Sequence, residues 1–391
     1  MKGNIEANIF KLYVIKVSKW FTLVMPIVVL FYQKHGLSMQ DIFLLKSVYS
    51  IGIVAFEIPS GYMADVWGRK KTLVLGSFLC TVGFMIYCVN GVLAGFFIAE
   101  FILGVGQSFI SGSDSALLYD TLKYKEREQD YVKEEGIITS IGNFSEAFAG
   151  ILGGLLATVS LQTPYYVQVV IAGLAIPASL TLIEPPIEGK KLPSLRNILN
   201  IVKMSLFTEK DLRISLLFSS LIGAATLTFA WFVQPFLQQA GLPLALFGLM
   251  WTLLNLTAGF SSIFAHKAGK RLNAKLTYLL VLAATSILYF ITSQTICLWG
   301  IATLFVFYII RGSAHPIMKD YIHQNASSEV RATVLSLRDM TIRIFFALLG
   351  PLVGWLSDAF SLKTALAISS LVFLVVGLII ISPLLIERSP R

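Results

Sequence analysis

Twelve long apolar runs follow one another along the 391 residues and leave little freedom in what this chain can fold into. They fall at 12–32, 42–62, 71–89, 93–118, 136–158, 165–183, 213–236, 245–265, 275–293, 297–318, 332–356 and 363–386. About 20 apolar residues make a helix that crosses the hydrocarbon of a bilayer. In lipid every backbone polar group must be paired internally, so a crossing segment is a helix or part of a closed barrel. The short alternating segments of a membrane barrel are not seen. Composition agrees: 56% of residues are hydrophobic and 14% charged, against roughly 25% charged in soluble domains. The expected fold is an all-α integral membrane protein with twelve transmembrane helices in two pseudo-symmetric six-helix bundles.

The formal charge of +9 could suggest nucleic acid, but its distribution points to topology. Lys34, Lys46 and Lys363 fall toward one side of the expected membrane, Arg311, Arg338 and Arg343 fall inside runs, and the other 25 of the 31 basic residues fall on the opposite side. Basic loops stay in the cytoplasm, so both termini are expected inside, in a cytoplasmic (bacterial inner) membrane, with no nucleic-acid partner. Lysines precede the first run and no small-residue cleavage site follows it, which reads as a retained helix. Cys80, Cys88 and Cys297 have no metal-ligand spacing and read as packing residues. No metal and no cofactor is expected.

The longest hydrophilic stretch, 184–212, divides the chain into an N-terminal bundle, 1–183, and a C-terminal bundle, 213–391. Within it Ser194 could cap a short helix with Leu195, Ile198, Leu199, Val202 and Leu206 on one face, lying on the inner membrane surface. A disordered linker is the alternative. The halves echo one another at an offset of 200: Gly112-Ser113 and Asp120 recur as Gly312-Ser313 and Asp320, and Gly150 and Gly154 as Gly350 and Gly354. Ala64 to Lys70 has a fainter echo in Ala265 to Arg271. A parallel repeat of this kind is a transporter trait.

Between the second and third runs lies G-Y-M-A-D-V-W-G-R-K-K-T-L, residues 61–73. Gly61 and Gly68 suit a tight turn at the water boundary, and Arg69, Lys70 and Lys71 hold it inside. The spacing of Gly61, Asp65, Gly68, Arg69 and Lys70 resembles the loop between helices 2 and 3 of major facilitator superfamily transporters, most of all the drug–proton antiporter branch. The resemblance implies that Asp65 meets the start of helix 11 near Arg331 and Ala332, that Arg69 meets Asp120, and that these contacts lock the cytoplasmic side. Val66 stands where the family has a basic residue. The fifth run, with Gly136, Ser145, Ala149, Gly150, Gly153 and Gly154, resembles the glycine-rich antiporter helix, although Gly150 stands where proline is usual; close helix packing is the plainer reading. Gly350-Pro351-Leu352-Val353-Gly354 in the eleventh run is a candidate bend. Glu100 stands where many drug–proton antiporters carry arginine.

Ionisable residues inside spanning helices are costly and mark cavities or partners. Glu146 lies about 15 Å beyond Gly136 and Arg343 about 18 Å beyond Arg331, both near the expected midplane. Thr139, Asn143, Glu146, Gly150 and Gly153 form one stripe. Glu100, Gln107, Ser111 and Asp114 form a face of the fourth run, and Arg311, His315 and Lys319 are four apart on the tenth. In the superfamily, helices 4, 5, 10 and 11 contribute to a central cavity. Glu146 or Asp114 could carry a proton, because burial disfavours the ionised form of a carboxylate. Arg311 and Arg343 could hold an anionic group, because guanidinium keeps its charge when buried. The alternative is that these charges pair with one another, Asp339 with Arg343 for example.

No phosphate-binding loop or hydrolytic triad is present, so neither ATP drive nor an enzyme is expected. The expectation is a monomeric secondary transporter that exports a small organic compound on a proton gradient. A carrier of an anionic or zwitterionic metabolite, such as a carboxylate-bearing chelator, is the alternative, and a non-transporting receptor on the same fold is a third.

Overall fold

The computed structural model describes residues 5–186, 200–269, 273–327 and 330–386. Among them there are helices and no strands. Fifteen α-helices follow in order: α1 Ala7–Trp20, α2 Val28–Lys34, α3 Met39–Val66, α4 Arg69–Val89, α5 Leu93–Ile110, α6 Ser113–Tyr124, α7 Tyr131–Val159, α8 Thr163–Gly173, α9 Ala175–Leu180, α10 Lys210–Gln239, α11 Phe247–Gly269, α12 Ala274–Gln294, α13 Ile301–Asn325, α14 Arg331–Ala359 and α15 Leu362–Ile386.

Ten helical segments among the described residues are long and apolar enough to cross a membrane. The runs expected at 12–32 and 136–158 lie outside that set. The first is no single helix: α1 stops at Trp20 and α2 begins at Val28. Pro26 between them lacks the N–H for a helical bond, and a proline drives the residue before it out of the α region. The fifth forms α7, whose Asn143, Ser145 and Glu146 dilute its apolar stretch. The fourth is also broken. Gly112 adopts φ +79, a left-handed conformation that glycine takes without penalty, and splits the run into α5 and α6. Its counterpart Gly312 sits inside unbroken α13, so the sequence echo carries no conformational echo there. Pro351 lies within α14, which continues through it; the expected bend does not end the helix.

The chain divides into two compact units. Unit 1 comprises Met1–Leu37, Val48–Pro193 and Leu244–Thr252; unit 2 comprises Ser38–Ser47, Ser194–Pro243 and Leu253–Arg391. In unit 1, Leu12, Ile15, Leu73, Ile110, Leu117, Leu118 and Ile138 form one core where α1, α4, α5, α6 and α7 meet. Asn8 ties its edge: it donates to Thr121 Oγ1 and the Ile183 carbonyl at 3.1 and 2.8 Å and accepts from Ile183 N at 3.0 Å. Glycines bring α7 close to its neighbours. A Cβ on Gly154 would stand 2.7 Å from Gly248 Cα, and one on Gly150 would stand 2.6 Å from Thr252 Oγ1.

In unit 2, α10 is the central post, with 78% of its apolar window buried. Ile214, Phe218 and Ile222 pack on α12 and α13, and Phe229 stacks on Phe307 at 3.6 Å. Gly354 of α14 lies against Met39 and Gln40, the first turn of α3. Asp358 caps that turn, accepting from Met39 N at 2.9 Å and Gln40 N at 2.7 Å. A carboxylate there meets orphan N–H groups and the positive end of the helix. Of the helix expected from Ser194 to Leu206, residues 194–199 lie outside the described residues; 200–203 are helical and run into a π-helical turn, Met204–Thr208, with Leu206 packed onto the cluster of Leu212, Leu216 and Val334.

Candidate functional site

The loop after α3 is tighter than its sequence suggests. α3 runs to Val66, so Gly61 lies inside the helix, where its Cβ position meets no atom within 4 Å. Gly68 alone takes the glycine conformation, φ +102. A carboxylate from elsewhere completes the turn: Glu184 accepts from Arg69 N at 2.7 Å and Lys70 N at 2.9 Å, so it caps α4. A Cβ on Gly68 would stand 3.0 Å from that carboxylate. Arg69 reaches across to Asp120 and to the Ala116 carbonyl of α6, the contact that the resemblance implies. Asp65, on the last turn of α3, lines a recess of about 380 Å³ with Trp67, Lys70 and Glu184. Glu184 was not singled out from sequence. An acid followed by two prolines just after the sixth run was the available signal, but nothing local ties it to residue 69.

The other N-terminal candidates separate. Glu100 is 2% exposed inside unit 1 and accepts hydrogen bonds from Tyr32 and Tyr87. Gln107 is half-buried, one helical turn before exposed Ser111. Asp114 does not share a continuous helix with Glu100, because the chain breaks at Ser111-Gly112; it lies 3.9 Å from Lys19 of α1 instead. Beside it, Glu135 accepts from Ser115 Oγ at 2.8 Å. The stripe on α7 divides in two. Asn143 is exposed and Glu146 half-buried, while Gly150 and Gly153 are packed, Gly153 against the Leu23 backbone.

The C-terminal candidates converge in part. Unit 2 holds a cavity of about 530 Å³ lined by Arg311, His315 and Arg338, with Ser219, Thr226, Asn255 and Ser262. That is a typical size for a small-molecule site. Arg311 Nη1 is buried and makes no hydrogen bond, and its guanidinium lies 5.2 Å from the Tyr308 ring centre. Arg338, 1% exposed, is fully engaged. It donates to Ser219 Oγ at 2.5 Å and to Asp339 Oδ1 at 2.8 Å, with His315 Nε2 at 3.4 Å. Arg343 is half-buried on α14 and does not line the cavity. Asp339 pairs with its neighbour Arg338, not with Arg343 four residues on. Arg338 was visible as a charge in a span, but the hydroxyl that orients it comes from α10, 119 residues away.

Among the described residues no cluster of His, Cys, Asp or Glu is placed to hold a metal. Some buried hydroxyls return to their own helix, as Ser77 does to the Leu73 carbonyl and Thr285 to Val281, which satisfies them inside lipid.

A multi-pass helical membrane fold with a polar, cation-lined cavity is the architecture of a solute carrier. The sequence matches the model of the Major Facilitator Superfamily over residues 20–347, and the chain belongs to that family, whose members are transporters and not enzymes. It is 24% identical over 374 residues to YxaM, an uncharacterised MFS-type transporter of Bacillus subtilis, covering 92% of this chain and 90% of YxaM. An uncharacterised MFS-type transporter of Methanocaldococcus jannaschii is 23% identical, and so is the quinolone resistance protein NorA of Staphylococcus aureus. Those two alignments span only 42% and 41% of the relatives' lengths and 42% of this chain. Among solved structures, the nucleoside transporter NupG superposes with a TM-score of 0.79 at 16% identity, over 99% of this chain and 98% of that one. A bacterial homologue of the human lysosomal transporter Spinster, inward-facing and unoccupied, superposes with a TM-score of 0.76 at 15% identity over the whole of both chains.

Proposed function

We propose that this protein is a secondary active transporter of small organic solutes that carry an anionic group, with Arg311 as the anchor for that group. The observation that carries the reading is the cavity in unit 2. It holds two arginines and a histidine; one arginine is neutralised by Asp339, and the other keeps a buried N–H without an acceptor. A buried donor left unpaired costs free energy, and a carboxylate in the cavity supplies what it lacks. Guanidinium binds carboxylates in a planar fork. The serine, threonine and asparagine hydroxyl and amide groups around it suit the polar remainder of such a solute.

The carrier has twelve spans in two related halves, 1–183 and 213–391, joined by 184–212, and works by alternating access. It works as a monomer in the cytoplasmic membrane with both termini inside. A proton gradient drives it in the export direction. The antiporter-like loop at 61–73 and the likeness to a quinolone resistance protein support that part.

A thermal-shift screen of the purified chain, comparing carboxylate-bearing solutes with organic cations of similar size, tests the anion reading. Carboxylates stabilise the wild type and fail to stabilise Arg311→Ala. Equal stabilisation by cations, or an unchanged response in the variant, rejects it. Flux of the hits into proteoliposomes with an imposed pH gradient tests the drive; flux indifferent to collapsing the gradient rejects proton coupling.

A further inference from the structure

Of the two arginines in the unit 2 cavity, one is already neutralised. Arg338, on α14 and 1% exposed, donates to Asp339 Oδ1 at 2.8 Å and to Ser219 Oγ at 2.5 Å, and its Nη1 lies 3.4 Å from His315 Nε2. Asp339 makes that contact from outside the lining. Arg311 presents a buried Nη1 with no acceptor. Lys319, one turn past His315 on α13, also lies outside the lining.

The hydroxyls of the lining add no donors to that one. Thr226 Oγ1 donates to the Gly223 carbonyl at 3.0 Å, and Ser262 Oγ donates to the Gly259 carbonyl at 2.7 Å. A hydroxyl has one hydrogen, so these two offer a solute only lone pairs. An ionised carboxylate only accepts. One carboxylate therefore finds its donor in Arg311, and a second is enclosed as a charge without a partner, which is costly. An ammonium on the solute fares no better. It would stand in a cavity with two guanidinium groups, and among the described residues no carboxylate lines that cavity. Ile222, Leu227, Met318 and Ile342 give the lining apolar surface for the rest of the solute. The lone pairs of Thr226 and Ser262 admit a neutral hydroxyl or N–H on it.

We propose that this cavity selects solutes with a single anionic group on a mostly apolar body, and that Asp339 is the specificity-determining residue that holds the count at one. Asp339 acts through Arg338: by occupying that guanidinium it withholds a second anchor. Dianions and zwitterions of the same size are disfavoured. This selectivity rests on Arg311 as the anion anchor, the reading given above, and narrows it.

The test is isothermal titration calorimetry on the purified full chain at neutral pH. Hexanoate, 2-aminohexanoate and hexanedioate share a chain length and differ in charge; 3-phenylpropanoate, phenylalanine and benzylsuccinate repeat the comparison on an aromatic body. In the wild type the monoanion of a series is expected to bind about tenfold tighter than its zwitterion and its dianion, and Arg311→Ala is expected to bind none of them. Asp339→Asn, at a side chain 60% exposed, releases the Arg338 guanidinium and is expected to raise the affinity for the dianion about tenfold. Asp339→Glu keeps a carboxylate there and is expected to keep the wild-type order. A dianion or zwitterion that binds the wild type as tightly as the monoanion, with binding still lost in Arg311→Ala, overturns the selectivity and leaves Arg311 as the anchor. No gain for the dianion in Asp339→Asn overturns the role of Asp339. Binding that persists in Arg311→Ala rejects the anchor itself, and binding from neither series overturns the preference for apolar monoanions.

Discussion

Arg311 and Arg338 line one cavity but hold their charges differently, and that difference is measurable. Arg338 has its carboxylate and its hydroxyl; Arg311 has neither among the hydrogen bonds of unit 2. Replacing Arg338 by Ala strips Ser219 and Asp339 of a charged partner and leaves a void. It is expected to cost about 2–3 kcal/mol in thermal or denaturant unfolding. Replacing Arg311 by Ala is expected to change stability by less than about 1 kcal/mol and to abolish stabilisation by carboxylates. A second residue-scale prediction concerns the turn before α4. Gly68→Ala forces a side chain into φ +102 and against Glu184, an expected loss of about 1–2 kcal/mol. Glu184→Gln removes the charge from the cap and is expected to cost about 1 kcal/mol. If Glu184→Gln unfolds like the wild type, Glu184 does not cap α4. The glycine was legible in the sequence because a turn between charged residues at a membrane boundary needs one. The acid was not, because it lies 115 residues from its partner.

At the scale of the helix, close packing follows from small residues whose neighbours sequence does not name. Gly150 and Gly154 of α7 admit α11 at Gly248, with Thr252 Oγ1 donating to the Ala147 carbonyl at 2.7 Å. Gly354 of α14 admits the first turn of α3. Gly154→Val would push a side chain onto the Gly248 backbone and is expected to lower the unfolding temperature, by an amount corresponding to about 1–3 kcal/mol. Gly136→Val on the same helix meets nothing within 4 Å and is expected to change it little. Equal effects from the two would show that packing at Gly154 is not what holds α7. The glycine spacing was readable as a small-residue stripe. The helix breaks were only half readable: Pro26 advertises the gap between α1 and α2, while Gly112 and Gly312 look alike in sequence and differ in conformation. Gly312 is buried against the Ala258 carbonyl of α11, so its neighbours hold it helical. Nothing lies within 4 Å of the Gly112 Cβ position, and the chain turns there.

At the scale of the molecule, the predictions concern the drive. Proton-coupled transport requires a group that changes protonation during the cycle. Glu100, buried in α5 and accepting from Tyr32 and Tyr87, is one candidate. In proteoliposomes, Glu100→Gln is expected to retain exchange of a screened solute across the membrane and to lose accumulation on a pH gradient. Accumulation at the wild-type level in that variant would place the coupling proton elsewhere. Asp114, expected as an alternative proton carrier, lies 3.9 Å from Lys19.

Read alone, the chain determined that it spans a membrane as helices, because its apolar runs cannot be hidden in water and cannot satisfy their backbone in lipid any other way. It determined the loop at 61–73 and the presence of charges within spans, because such residues are rare enough to stand out. Only the tertiary structure decided which charges pair. Pairing depends on the rotation of each helix and on which helix lies beside it. Both are set by the packing of side chains from different helices, some more than a hundred residues apart: Arg338 with Ser219 and Glu184 with the start of α4, and Glu100 with two tyrosines from two other helices.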